Sequence, residues 1–296
     1  MSILVIKHGA LGDFFQSLPL FQAIRLHHAQ ESVTLLTTPP FEVFARELGL
    51  FDCVLTDPRE GVPWSFFKET WHAAYAIVYD LQLSTRTRWY CHALRHILPK
   101  KSAIYGEQYA LPATAHSFAR RQEVLKKAGF SVQNLKTTFP PSSCEPFQNL
   151  LPKDHPFALF VIGASASFKI WPVEGFIAVG KWCVTQGMCP VLTGGIAEQS
   201  LARAFLKAVP AAIDLTGKTH PMDILKLGAK ACIAIGNDTG PMHGIAVVGC
   251  PSVVIFSPYT SPQLSAPLGR VRTLQGTLSE ISSSEVIAAL KLVKIK

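Results

Sequence analysis

The feature that most constrains the fold is a regular alternation. Short apolar runs take turns with longer segments whose apolar residues recur at helical spacing. In the first block, residues 3–7, 32–37, 53–55 and 76–79 read as strands. Residues 14–24, 41–48, 64–74, 88–97 and 117–128 read as helices between and after them, with Pro19 expected to interrupt the first. In the second block, strands are expected at 157–162, 190–192, 212–215, 231–235, 252–256 and 271–274. Helices are expected at 173–185, 197–208, 222–229, from Pro241 onward, and at 283–293. Runs that are apolar on both faces are buried strands of a parallel sheet, and helical crossovers between them build βαβ units. Between Ser131 and Pro156 the periodicity lapses into Pro140, Pro141, Ser142, Ser143, Pro146 and Pro152, a linker composition. The expected architecture is α/β: two Rossmann-like, doubly wound parallel-sheet domains, 1–150 and 151–296, facing a central cleft, with helix 283–293 offered to the N-terminal domain. In such sheets ligands bind beyond the carboxyl ends of the strands.

Composition narrows the function classes. With 296 residues, 48% of them hydrophobic, the chain can bury two cores. No apolar run approaches the roughly 20 residues that span a bilayer. The N-terminus opens on a strand-like Ile3-Leu4-Val5-Ile6 without the shape of a signal peptide. Seven cysteines without a CxxC pair read as reduced thiols, so a cytoplasmic location is expected. The net charge of +8 is concentrated. Arg86, Arg88, Arg95, Lys100, Lys101, Arg120, Arg121, Lys126, Lys127 and Lys136 face only Glu107 and Glu123 within 81–136. Such a stretch attracts phosphates, acidic sugars or an anionic membrane face; a plain solvated helix surface is the alternative. No nucleic-acid motif accompanies it, so no nucleic-acid partner is expected. His8, His27 and His28 lack metal-ligand spacing and there is no HExxH, so no metal is required. A G-x-S-x-G elbow and a Walker A motif are also missing, and His8-Gly9-Ala10-Leu11-Gly12-Asp13 is GxxG rather than GxGxxG.

Several residues stand at strand-to-helix turns. Gly236-Asn237-Asp238-Thr239-Gly240-Pro241-Met242-His243 follows an apolar strand, and Pro241 suits the first turn of a helix. The open N–H groups of such a helix start bind anions, and Gly240 permits close approach, so a phosphorylated ligand is one reading. A helix capped by Asp238 or Thr239 is the other. Asp13 is a candidate general base at the first turn of the chain, or else a helix cap. Lys169 follows the small-residue run Gly163-Ala164-Ser165-Ala166-Ser167 and can neutralise a diphosphate, or else is a surface lysine. Gly194-Gly195 is a further close-approach turn, and His243 is either a phosphate ligand or a packed residue.

Taken together, Ile3-Leu4-Val5-Ile6-Lys7-His8-Gly9-Ala10-Leu11-Gly12-Asp13, Lys169-Ile170-Trp171-Pro172, Leu192-Thr193-Gly194-Gly195, Leu215-Thr216-Gly217-Lys218-Thr219 and the segment from Gly236 to His243 resemble the bacterial lipopolysaccharide heptosyltransferases of glycosyltransferase family 9. The resemblance implies a GT-B fold, with an N-terminal acceptor domain and a C-terminal nucleotide-sugar domain. It implies inverting, metal-free transfer of a heptose from ADP-L-glycero-β-D-manno-heptose to the inner core of lipopolysaccharide. It implies Asp13 as base, with Lys169, Asp238, Thr239 and Gly240 on the diphosphate and donor sugar; Pro241, His243, Gly194 and Gly195 line that site. Lys7, Arg86, Arg88 and Arg120 are the acceptor candidates, and Asp223 is a candidate for the nucleotide ribose. A monomer in peripheral contact with the inner leaflet of the inner membrane is expected. Two alternatives stand beside it: a transferase or epimerase of the same fold using another nucleotide sugar, and a non-catalytic anion- or lipid-binding relative.

Overall fold

The structure, a computed structural model, describes residues 1–61, 64–135, 137, 147, 150–152 and 156–294. Lys136 and the expected linker residues Pro140, Pro141, Ser142, Ser143 and Pro146 lie outside the described residues. Contacts between residues divide the chain into two units, Met1–Leu135 and Lys136–Lys296.

The first unit runs β1 (Ser2–Ile6), α1 (Leu11–Gln16), α2 (Leu18–His27), β2 (Ser32–Thr37), α3 (Glu42–Glu47), β3 (Cys53–Thr56), α4 (Trp64–Ala73), β4 (Ile77–Asp80), α5 (Thr85–Ile97), β5 (Ala103–Tyr105) and α6 (Ser117–Lys127). Its five strands are parallel in the order β3-β2-β1-β4-β5. The chain winds outward from β1 to β3, then returns to the other side of β1 with β4. That places the topological switch point between β1 and β4, where a crevice opens at the strand ends. Leu4, Ile6, Leu36, Val78, Tyr90 and Leu94 form one buried layer of its core. Pro19 acts as expected: the first helix breaks at Ser17, where α1 ends and α2 begins. Strand β5 was not foreseen, because three half-buried residues at a sheet edge carry too little pattern.

The second unit runs β6 (Phe157–Val161), α7 (Val173–Thr185), β7 (Cys189–Thr193), α8 (Gln199–Ala208), β8 (Ile213–Asp214), α9 (Pro221–Lys230), β9 (Ile233–Asn237), α10 (Gly240–Val247), β10 (Ser252–Phe256), α11 (Pro262–Ser265), β11 (Val271–Gln275) and α12 (Ser283–Lys294). Its six parallel strands are ordered β11-β10-β9-β6-β7-β8, with the switch point between β6 and β9. Helix α12 buries Val286, Ala289, Leu290 and Val293 in the core of this same unit, beside Phe176, Val179 and Ile255. The apolar face that the sequence reading offered to the N-terminal domain is therefore used within its own unit. A second correction concerns Gly236 and Asn237, which read as a turn but complete β9. A side chain at Gly236 would press to 2.7 Å from Val161 and 2.8 Å from Met242, so glycine here serves close strand-to-helix packing.

Candidate functional site

Each unit gathers its unusual polar residues at its own switch point. In the second unit the loop after β6 meets the loop after β9. Lys169 Nζ donates to Asp238 Oδ2 at 2.9 Å, with side chains 21% and 8% exposed. The pair spans the two neighbouring strand ends where the winding reverses. Its scaffold is Asn237, which is fully buried. Asn237 Oδ1 accepts from the Trp171 N–H at 2.9 Å, and its Nδ2 donates to the carbonyls of Ile162 at 3.0 Å and Gly163 at 3.2 Å. The buried Trp171 ring is anchored in turn by Nε1 donating to the Ile281 carbonyl at 3.0 Å. Lys169 therefore sits on a loop fixed from both ends.

Helix α10 begins at Gly240 with Thr239 as its N-cap residue, and the Thr239 side chain makes no capping bond; Met242 N–H donates to the Thr239 carbonyl at 3.2 Å. The capping reading of Asp238 and Thr239 is thus corrected: Asp238 is engaged with Lys169, and Thr239 leaves the helix start uncapped. Free N–H groups at the positive end of a helix beside an ammonium make an anion site. Pro241 stands in the first turn, and its missing N–H costs nothing there. His243 is buried within α10, which fits the packed reading. The Gly194–Gly195 turn is partly occupied: Gly195 N–H donates to Glu198 Oε2 at 2.7 Å, and the Gly194 carbonyl accepts from Gly217 N–H at 2.8 Å. Asp223 accepts from the His220 N–H at 2.9 Å, so the structure uses it at the start of α9.

In the first unit, Asp13 lies in the first turn of α1, not at its cap; the cap position is Ala10, with no side-chain capping bond. Its carboxylate is held instead by Arg121, whose Nη2 donates to Asp13 Oδ1 at 2.7 Å. Arg121 is buried, and its Nε donates to the Leu81 carbonyl at 3.0 Å. Asp13 keeps 39% of its side chain exposed, so it is fixed yet accessible. Lys7, at the end of β1, is wholly buried, and its Nζ donates to Gln82 Oε1 at 2.8 Å and the Gly9 carbonyl at 3.3 Å. Burial, reinforced by the Arg121 charge, holds the Lys7 amine well below the usual lysine range. Gln82 Oε1 also accepts the His8 N–H at 3.1 Å and the Gly9 N–H at 3.4 Å, tying the β1 turn to the β4 turn. Gly9 takes φ 131° there, and a side chain on it would strike Phe41. Asp80, at the end of β4, has its carboxyl pushed up to about 6 by burial.

The acceptor candidates fare differently. Lys7 is enclosed. Arg86 is bound to the fully buried Asp57, with Nε donating to Oδ2 at 3.0 Å and Nη2 to Oδ1 at 2.9 Å, while Tyr90 OH donates to the same carboxylate at 2.6 Å. Burial alone would raise the Asp57 carboxyl, but the bonds from Arg86 and Tyr90 prevail and lower it. His8 Nε2 lies 3.5 Å from that carboxylate, and burial pushes its imidazole down to about 4. Arg88 is exposed and pairs with Glu107 at 3.0 Å, and Arg120 donates to the Leu111 carbonyl at 3.0 Å. The sequence reading named Arg120 as an acceptor candidate and no partner for Asp13, which the structure gives as Arg121. The signal was present: Phe118, Arg121, Val124 and Leu125 are buried and share one helical stripe, which Arg120 does not. Among the described residues, no group of three or more His, Cys, Asp or Glu side chains gathers as metal ligands, and no helix is long and apolar enough to cross a membrane.

Two doubly wound parallel-sheet units, each with polar residues at its switch point, place the protein in the GT-B class of α/β folds. The family model of glycosyltransferase family 9 (heptosyltransferase) matches residues 88–286. The chain belongs to glycosyltransferase family 9. It is 27% identical over 148 residues to lipooligosaccharide heptosyltransferase 2 of Haemophilus influenzae, a match covering 47% of this chain but only 42% of that protein. Among solved structures, a family 9 glycosyltransferase from Veillonella parvula superposes with TM-score 0.82 at 18% identity, covering 99% of this chain and 97% of that one. The ADP-heptose lipopolysaccharide heptosyltransferase II of Escherichia coli superposes with TM-score 0.78 at 18% identity, covering 100% and 99%.

Proposed function

We propose that the protein is an inverting heptosyltransferase that moves a heptose from an ADP-heptose donor to the anionic inner core of lipopolysaccharide. The observation that carries this reading is the Lys169–Asp238 pair at the uncapped start of α10. In the proposed reaction the acceptor oxygen attacks the anomeric carbon, its proton passes to Asp13, and the bond to the diphosphate oxygen breaks. Charge then grows on the departing ADP, where Lys169 and the N–H groups of Thr239 and Gly240 stabilise it. Lysine and helix start supply positive charge at that point, so the reaction as proposed needs no metal and no cofactor. Asp238 holds Lys169 in place and faces the donor sugar. Arg121 presents the Asp13 carboxylate in one orientation. The family assignment and the donor in the name of the E. coli structure favour ADP-heptose over other nucleotide sugars. We place the enzyme at the cytoplasmic face of the inner membrane, as a monomer in peripheral contact with its lipid-linked acceptor. Isothermal titration with ADP, UDP, GDP and NAD, with and without magnesium, tests the donor half. Magnesium-independent binding selective for ADP is expected; preference for UDP or GDP would overturn the donor assignment.

A further inference from the structure

The outward side of α5 differs from an ordinary solvated helix face. Arg88, Trp89, His92, Arg95 and His96 are exposed together on it, while Tyr90, Cys91 and Leu94 turn into the core. The helix contains no Asp or Glu. It leads into a tight turn in which Ser102 N–H donates to the Pro99 carbonyl at 2.8 Å, presenting Lys100 and Lys101 at the two central positions, both exposed. Ser102 Oγ donates to the Tyr75 carbonyl at 2.8 Å and fixes that turn to the body of the unit. Beside it is a groove of about 290 Å³ lined by Arg95, Lys100, Ser102, Gln108 and Tyr109. Of these cations only Arg88 has an acid, Glu107; among the described residues Arg95, Lys100 and Lys101 have no carboxylate within ion-pair distance. Trp89 is 48% exposed, with its ring braced edge-on by Phe67 at 5.7 Å. A rigid indole with one wet side, set among unpaired cations, suits a lipid headgroup layer.

We propose that the α5 face, with the Lys100–Lys101 turn, is the surface by which the protein docks on an anionic lipid bilayer, the groove beside it receiving the phosphate of one headgroup. This deepens the peripheral contact in the proposed function and rests on that reading only for which membrane is met. Three cations without a carboxylate partner, Arg95, Lys100 and Lys101, make this face a locally positive part of the basic 81–136 stretch. Trp89 adds a contact that a free phosphate would not use.

The test is sedimentation of the full chain with phosphatidylcholine vesicles, with and without phosphatidylglycerol. Binding to the anionic vesicles alone, weakened by salt, is expected. Each basic residue near such a surface is worth roughly fivefold in partition, so the triple variant Arg95→Gln, Lys100→Gln, Lys101→Gln is expected to lose on the order of a hundredfold. Trp89→Ser should lower partition without altering charge. Arg203→Glu with Lys207→Glu, both exposed on α8 of the other unit, should leave it nearly unchanged. Equal binding to neutral vesicles, an equal loss in the α8 variant, or no binding to anionic vesicles would overturn the proposal. Calorimetric melting of each variant reports its folding, and ADP titration of the wild type tests the donor site separately. A wild-type chain that docks but binds no ADP would refute the donor assignment and leave the docking surface standing.

Discussion

Asn237 carries no part of the proposed chemistry, yet its loss should disable the donor site. It is fully buried, and its three hydrogen bonds join the end of β9 to the loop that bears Lys169. Asn237→Ala removes the acceptor from the buried Trp171 N–H and a donor from two carbonyls. Orphaning a buried donor costs about 1–3 kcal/mol, and the carbonyls add a smaller amount, so a loss of about 2–4 kcal/mol is expected. For a unit of this size that lowers Tm by on the order of 10 °C. Freed from Asn237, the loop no longer holds Lys169 in one place, and ADP affinity should fall about tenfold. Asn237→Asp should also fail, since it sets a carboxylate against the Ile162 and Gly163 carbonyls. Calorimetric melting and ADP titration measure both effects. A Tm within about 2 °C of wild type with unchanged ADP affinity would refute the argument and assign the loop's rigidity to Trp171 packing alone.

Other outcomes follow from the same geometry. Lys169→Ala should weaken ADP binding by roughly 10- to 100-fold, the worth of one charge-assisted contact; unaltered affinity in titration would remove Lys169 from the site. Arg121→Lys cannot reproduce both the Leu81 carbonyl bond and the Asp13 bond. It should lower kcat about tenfold while the donor KM stays put, and a purely KM effect in an ADP-release assay would contradict a positioning role. Asp13→Asn should abolish turnover with donor affinity retained within a few-fold. His8 titrates at about 4 when folded, against an ordinary value of 6.5, so between these values the unfolded chain binds more protons. Its contribution is therefore present above pH 6.5 and lost on acidification toward 4, by up to about 3 kcal/mol. Asp80, pushed up to about 6, acts in the opposite sense below that pH, so the informative quantity is wild type minus His8→Gln in denaturant melts across pH 4–7. A flat difference would show that His8 is not buried as described.

Element type and order were largely legible, because a run such as Phe157–Val161 is apolar on both faces and can only be an inner strand. The start of α10 was legible for a local reason: Thr, Gly and Pro in that order carry cap, approach and φ preferences within one turn. Asn237 was misread because Gly-Asn has strong turn propensity, which tertiary hydrogen bonds to a loop some seventy residues away override. The Arg86–Asp57 and Arg121–Asp13 pairs join residues 29 and 108 positions apart, distances at which one sequence gives no pairing signal. Composition showed that the 81–136 stretch is basic. It did not show that Arg86 and Arg121 answer internal carboxylates while Arg95, Lys100 and Lys101 face solvent.

The central claim is transfer of a heptose with ADP as leaving group. Its most direct test is ADP release from ADP-heptose by the purified chain, with and without a heptose-deficient lipopolysaccharide acceptor and in the presence of a chelator. Acceptor-dependent release that survives chelation and disappears in Asp13→Asn is the expected result. No release with any truncated acceptor, from a chain that still binds ADP, would contradict the account.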